Sequence, residues 1–107
     1  MLILDKKRQK EYELVVDGIF IEIGHIAATD IVAGLVKRNE QGQIIVDERA
    51  QTSLPGVFAA GDVTQIPFKQ ITIACGQATI AALSAYQYLQ LQQGQKPVLV
   101  FDRGPKV

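Results

Sequence analysis

Apolar and polar residues alternate in short runs at the start of the chain. Residues 2–4 are apolar, the stretch 5–10 is charged except for Gln9, and runs rich in β-branched residues follow at 12–16 and 19–23. Asp17-Gly18 separates the last two runs. An Asp-Gly pair in that position favours a hairpin, because glycine tolerates the positive φ of a tight turn. The pattern therefore predicts a three-strand β-meander that ends by residue 24.

Short elements are predicted in the middle of the chain. Thr29-Asp30 offers an N-cap for a short helix over 31–36. Apolar runs bounded by turn residues predict short strands at 44–46 and 57–60. The order of these elements indicates an α/β fold.

A long helix is predicted over 70–91. Its apolar and small residues cover most of the helix circumference until the last turns, which are polar. A helix that is apolar all round is usually buried, so we expect close packing on a sheet. Gly94 and Pro97 should end the helix, with a possible further strand at 98–101 in a loose tail over 94–107.

Composition narrows the function classes. The chain has 107 residues, of which 48% are hydrophobic, enough for one small domain with a modest core. Eleven basic residues balance eleven acidic ones, which argues against nucleic acid or an anionic membrane as the main partner. One cysteine and one histidine exclude a CxxC pair and the usual zinc sites. We therefore expect no metal. The sequence has no apolar run of roughly 18 residues and no signal-peptide pattern, so we expect a cytoplasmic protein.

The Gly61-Asp62 pair, directly after the predicted strand at 57–60, is the first candidate for ligand binding. In open α/β sheets, ligands bind beyond the carboxyl ends of parallel strands. Gly61 would let a ligand approach the backbone, and Asp62 would present an acceptor suited to a sugar or polyol hydroxyl. The alternative interpretation is an ordinary turn at the end of a strand.

The start of the long helix is the second candidate. Lys69, Gln70 and Ile71 stand where backbone N–H groups and the positive end of the helix dipole favour an anionic or electron-rich group. The alternative interpretation is a solvated helix start.

Longer strings around these residues carry a family resemblance. TSLPGVFAAGDV over 52–63, PFKQI over 67–71 and AALSA over 81–85 closely resemble the C-terminal segment of the flavoprotein thioredoxin reductases. They are equally similar to the flavoprotein subunit of alkyl hydroperoxide reductase, which belongs to the same class II pyridine nucleotide-disulfide oxidoreductases. DGIFIEIG over 17–24 resembles the strand that closes the pyridine-nucleotide domain of these enzymes.

The resemblance implies a role for each candidate residue. Asp62 would accept a hydrogen bond from a ribityl hydroxyl of FAD, and the backbone of Gly61 and Val63 would follow the ribityl-pyrophosphate part. The flavin's pyrimidine edge would lie against Lys69, Gln70 and Ile71. The helix dipole there would stabilise negative charge on the reduced ring.

The resemblance also implies a domain organisation and a reaction. Residues 1–24 would end the NAD(P)H domain, 25–93 would form the C-terminal segment of the FAD domain, and 94–107 would be a tail. The fold expected is a partial Rossmann-like, three-layer FAD/NAD(P)-binding domain with one long buried helix. A complete enzyme would pass electrons from NAD(P)H through FAD to a disulfide of a thioredoxin-like partner.

A lone chain of this sequence is not expected to run that reaction. It has no GxGxxG fingerprint and no second cysteine, and it should leave the apolar helix uncovered. The expected partner is therefore a second copy of the chain or a complementary N-terminal flavoprotein fragment. The alternative is a non-enzymatic truncated paralogue that self-associates as a binding or structural module.

The sequence departs from the family pattern after residue 24. The family usually has a Pro-Asn-Thr stretch there, whereas this chain reads HIAAT over 25–29. We expect His25 to be structural, Cys75 to be a small buried hydrophobe, and Tyr86 and Tyr88 to be packing or surface residues.

Overall fold

The computed structural model describes residues 1–97. The predicted strand at 98–101 and most of the predicted tail lie outside these residues. The described part is an α/β structure with strands β1 (Leu2–Asp5) and β2 (Lys10–Glu13) and one long helix, α1 (Ile71–Gln92). Single 3-10 turns lie at Asp30–Val32 and Gly61–Val63.

Strands β1 and β2 form an antiparallel hairpin. Leu2 pairs with Glu13 and Asp5 pairs with Lys10, so the turn falls within the charged stretch between them. The Asp5 carboxylate fixes this turn by accepting hydrogen bonds from the backbone N–H groups of Lys7 at 2.9 Å and Arg8 at 3.2 Å.

The predicted third strand of the meander is wrong for this structure. Residues 14–28 have no regular secondary structure, and Asp17-Gly18 does not join two paired strands. The side chain of Phe20 is 98% exposed and that of Val15 is 94% exposed. A strand needs a neighbour for its backbone hydrogen bonds, and none of the described residues offers one to residues 19–23.

The predicted helix over 31–36 is reduced to the 3-10 turn at Asp30–Val32. Thr29 does not cap it, because its buried hydroxyl donates instead to the carbonyl of Gly42 at 2.5 Å. Ala33 then leaves the helical region, with φ −59° and ψ 130°.

The predicted strands at 44–46 and 57–60 appear only as single bridges. Ile44 bridges Arg38 and Thr64, and Phe58 bridges Gln51. Ile44 is buried, and its N–H donates to the carbonyl of Val63 at 2.8 Å. This hydrogen bond connects the segment around Ile44 to the turn at Gly61–Val63.

The long helix is confirmed to within one residue at each end. Among the named elements, α1 packs only against the turn at Gly61–Val63, and only Ser84 and Gln90 of the helix are buried. The close packing on a sheet is therefore absent from the described chain, as expected for the chain alone. For the same reason Cys75 is exposed, which corrects the prediction that it is buried.

No helix within residues 1–97 has both the length and the apolar character needed to cross a membrane.

Candidate functional site

A groove of about 440 Å³ lies between the Gly61–Val63 turn and the first turns of α1. It brings together three residues that the sequence singled out, Gly61, Asp62 and Ile71. The other lining residues are small: Ala60, Ala74, Cys75 and Ala78. The groove therefore has an apolar wall from the helix and a polar rim from the turn.

Gly61 sets the geometry of this rim. It is buried and has φ +76°, a conformation that side-chain-bearing residues rarely adopt. A Cβ at this position would lie 3.3 Å from the Cβ of Ala74. The missing side chain thus makes room for helix α1, whereas the sequence alone suggested that it makes room for a ligand.

Two polar residues that the sequence did not single out hold the turn. The Gly61 N–H donates to Oε1 of Gln77 at 2.8 Å, and the Thr64 hydroxyl donates to the Gly61 carbonyl at 2.7 Å. Thr64 is fully buried. A polar Gln77 one helical turn after Ala74, within a run of small residues, is the signal that could have found this contact.

The Asp62 carboxylate stands at the groove without a hydrogen-bond or ion-pair partner among residues 1–97. It is half-buried, and none of the described residues forms a hydrogen bond or ion pair with it. It is also the one acidic side chain in the groove lining. A carboxylate in this setting can accept hydrogen bonds from a hydroxyl-bearing ligand.

Val63 and Lys69 lie beside the groove rather than in its lining. The Val63 carbonyl accepts the Ile44 N–H, and the Lys69 ammonium donates to the carbonyl of Thr64 at 2.7 Å. Lys69 therefore stabilises the loop after the turn in this structure.

Gln70 and Ile71 form an open helix start. Gln70 is the extended N-cap residue and makes no side-chain capping bond, while its carbonyl accepts the Ala74 N–H at 2.9 Å. No acidic residue lies in the first turn, and Ile71 is 84% exposed. The first N–H groups of α1, at the positive end of its dipole, are thus left without a capping side chain.

Neither His25 nor Cys75 forms part of a metal cluster. His25 is exposed in the irregular segment, and residues 1–97 contain no group of three or more histidine, cysteine or acidic side chains that could hold a metal ion.

The chain is similar in sequence to a family of redox enzymes. Residues 3–78 match the family described as pyridine nucleotide-disulphide oxidoreductase. The chain is 47% identical over 85 residues to a subunit of alkyl hydroperoxide reductase from Pseudomonas putida, a match that covers 79% of this chain and 16% of that protein. It is 42% identical over 86 residues to an NADH dehydrogenase of Bacillus subtilis, covering 80% of this chain and 17% of that protein.

The chain is also similar to solved structures of thioredoxin reductases. Thioredoxin reductase from Streptococcus pyogenes superposes with a TM-score of 0.66 and 38% identity, over 84% of this chain and 29% of that one. Thioredoxin reductase from T. acidophilum gives a TM-score of 0.65 and 44% identity, over 79% of this chain and 28% of that one. The chain spans about a sixth of the length of the curated relatives, and it belongs to the pyridine nucleotide-disulphide oxidoreductase family.

Proposed function

We propose that this chain supplies the flavin-end contacts of FAD in a thioredoxin-reductase-like flavoprotein. Together with the other parts of such an enzyme, it would serve electron transfer from NAD(P)H through FAD to a disulfide partner. The observation that carries the proposal is the position of the Asp62 carboxylate, which has no hydrogen-bond partner among the described residues, in a groove beside an uncapped helix start.

The residues of the groove fit a flavin and its polyol chain. A flat ring needs a wall without bulky side chains, and Ala74 and Ala78 provide one. A polyol chain needs an acceptor at the rim, and Asp62 provides one. FAD, when bound, would supply the redox chemistry, while the protein supplies binding, orientation and electrostatics.

Each site residue then has a separate task. Asp62 would accept a hydrogen bond from a ribityl hydroxyl, and the backbone of Gly61 and Val63 would follow the ribityl-pyrophosphate part. Residues 69–71 would lie at the pyrimidine edge. The open N–H groups of α1 favour negative charge there, and Lys69 would add to this effect if its ammonium left the Thr64 carbonyl.

The relatives support the rest of the proposal. They are named as an alkyl hydroperoxide reductase subunit and as thioredoxin reductases. We propose a thioredoxin-like acceptor for the complete enzyme, in the cytoplasm, with residues 1–24 at the end of its NAD(P)H domain and 25–93 in its FAD domain.

A chimera tests the proposal. The matched segment of the Pseudomonas putida relative is replaced by the aligned residues of this chain, and the purified protein is examined for flavin absorbance and for reduction of its flavin by NADH or NADPH. The expected result is a yellow protein whose flavin is reduced. A folded chimera without flavin, beside a flavin-loaded parent, would contradict the proposal.

Exposed apolar residues favour a second candidate, a self-associating module without enzymatic activity. Phe20, Ile26 and Ile71 are each at least 84% exposed. The same chimera separates the two candidates, because a module that evolved only to self-associate has no reason to retain a working flavin site.

A further inference from the structure

We propose that Gln77 is a positioning residue that sets the direction of the Asp62 carboxylate through the Gly61 amide, an inference that rests on the flavin function proposed above. Its Oε1 accepts the Gly61 N–H at 2.8 Å. A backbone N–H can only donate, so the atom of Gln77 that faces it must be the carbonyl oxygen and not the amide nitrogen. The contact therefore fixes the orientation of the Gln77 amide as well.

The hydrogen bond between Gly61 and Gln77 acts on the residue directly before Asp62, and the backbone angles of that residue set the direction of the Asp62 side chain. Glycine populates positive and negative φ about equally, so Gly61 itself does not select its φ of +76°. The contacts around Gly61 do so. On α1 they are the hydrogen bond to Gln77 and the close approach to Ala74, and within the turn the Thr64 N–H and hydroxyl both donate to the Gly61 carbonyl. Rotation at Gly61 would carry the next residue, Asp62, away from the groove.

Gln77 is the hydrogen-bond partner of the Gly61 N–H among the described residues. The Thr64 hydroxyl lies 3.4 Å from the same Gln77 oxygen, but its single hydrogen is directed to the Gly61 carbonyl at 2.7 Å. The Gln77 oxygen is therefore left to the Gly61 N–H. Because Gly61 is buried, loss of the Gln77 oxygen would leave its N–H without a protein acceptor, and the cost of that unpaired group favours movement of the turn.

Substitutions of similar length separate the acceptor from simple packing. Gln77→Met keeps the length of the side chain and removes the strong acceptor, whereas Gln77→Glu keeps an acceptor oxygen. Gln92→Met makes the same change in the exposed last turn of α1 and serves as the control.

The first test measures amide hydrogen exchange at Gly61 by NMR in the full 107-residue chain. Gln77→Met should speed exchange at Gly61 by roughly tenfold or more. Gln77→Glu and Gln92→Met should stay close to the parent chain. Unchanged exchange in Gln77→Met would overturn the role of Gln77 whatever the flavin results are.

The second test asks whether the role acts through Asp62. In the chimera, FAD affinity is measured for Gln77→Met, Asp62→Ala and the double variant. A positioning role predicts that Gln77→Met weakens FAD binding when Asp62 is present and has little further effect in Asp62→Ala. Additive losses would overturn the inference. Full FAD affinity in Asp62→Ala would instead overturn the proposed function, and with it the role of Gln77 in flavin binding.

Discussion

Gly61 approaches Ala74 so closely that a Cβ on Gly61 would lie 3.3 Å from the Cβ of Ala74. The backbone of the turn that carries Asp62 therefore lies directly against helix α1, with no side chain between them. A short distance between turn and helix is what brings Asp62 and the helix start into one groove.

Gly61→Ala should lower the stability of the chain. The substitution adds a side chain at φ +76°, which costs about 1–2 kcal/mol, and it also forces Ala74 to shift. Chemical or thermal unfolding followed by circular dichroism measures the effect. Gly76→Ala is the matched control: it lies inside α1 with nothing within 4 Å of an added Cβ, so it should stabilise the helix by about 1 kcal/mol. Equal effects of the two variants would contradict the packing described for Gly61.

Asp62→Ala should affect flavin binding and leave folding unchanged. The half-buried Asp62 forms no hydrogen bond or ion pair with the described residues, so its replacement should not shift the melting temperature appreciably. In the chimera, loss of a charge-assisted hydrogen bond to a hydroxyl should weaken FAD binding by about 1.5–3 kcal/mol. Glu48→Ala, an exposed carboxylate in the same segment, is the control. A lower melting temperature with unchanged FAD affinity would identify Asp62 as a turn-forming residue only.

Tyr88→Ala should destabilise the chain more than Tyr86→Ala. The rings of Tyr88 and Phe58 meet edge to face, with centroids 6.2 Å apart and planes at 72°, whereas Tyr86 is 55% exposed. An aromatic pair of this geometry contributes about 0.5–1.5 kcal/mol beyond the area that it buries. Unfolding midpoints of the two variants check the difference, and equal midpoints would count against the contact.

The isolated chain should bind FAD weakly or not at all. The groove is open, the contacts proposed for it are to the flavin end, and the sequence contains no GxGxxG fingerprint for the phosphates. Quenching of flavin fluorescence during titration with the chain measures the affinity. A submicromolar dissociation constant for the chain alone would show that the phosphate contacts are supplied in another way.

The isolated chain should self-associate. Large apolar side chains are exposed along the irregular segment and on α1, including Val15, Phe20, Ile23 and Ile71. Exposed apolar side chains in this number favour association. Light scattering should therefore give a mass above the 11.7 kDa of one chain. A monodisperse monomer that binds no apolar dye would contradict this prediction.

Local sequence was enough to predict the long helix and to single out the Gly61-Asp62 pair before it. Alanine-rich helix formers without an internal proline define α1, and Gly94 follows its end, so the predicted 70–91 differs from Ile71–Gln92 by one residue at each end. The Gly61-Asp62 pair was located for a similar reason, since turn chemistry is set by neighbouring residues. The stretches that resemble the family, such as residues 52–63, are also continuous in sequence, so they could be found without the tertiary structure.

Contacts between distant segments required the tertiary structure. The bond from Gly61 to Gln77 joins residues 16 positions apart. The polar Gln77 among small residues marks a candidate contact, but only the tertiary structure shows that it meets the turn. The hydrogen bond from the Thr29 hydroxyl to the Gly42 carbonyl likewise depends on where the backbone folds back. The strand predicted at 19–23 is missing for the same physical reason: β-propensity makes a strand possible, but only a neighbour that pairs with its N–H and carbonyl groups forms one.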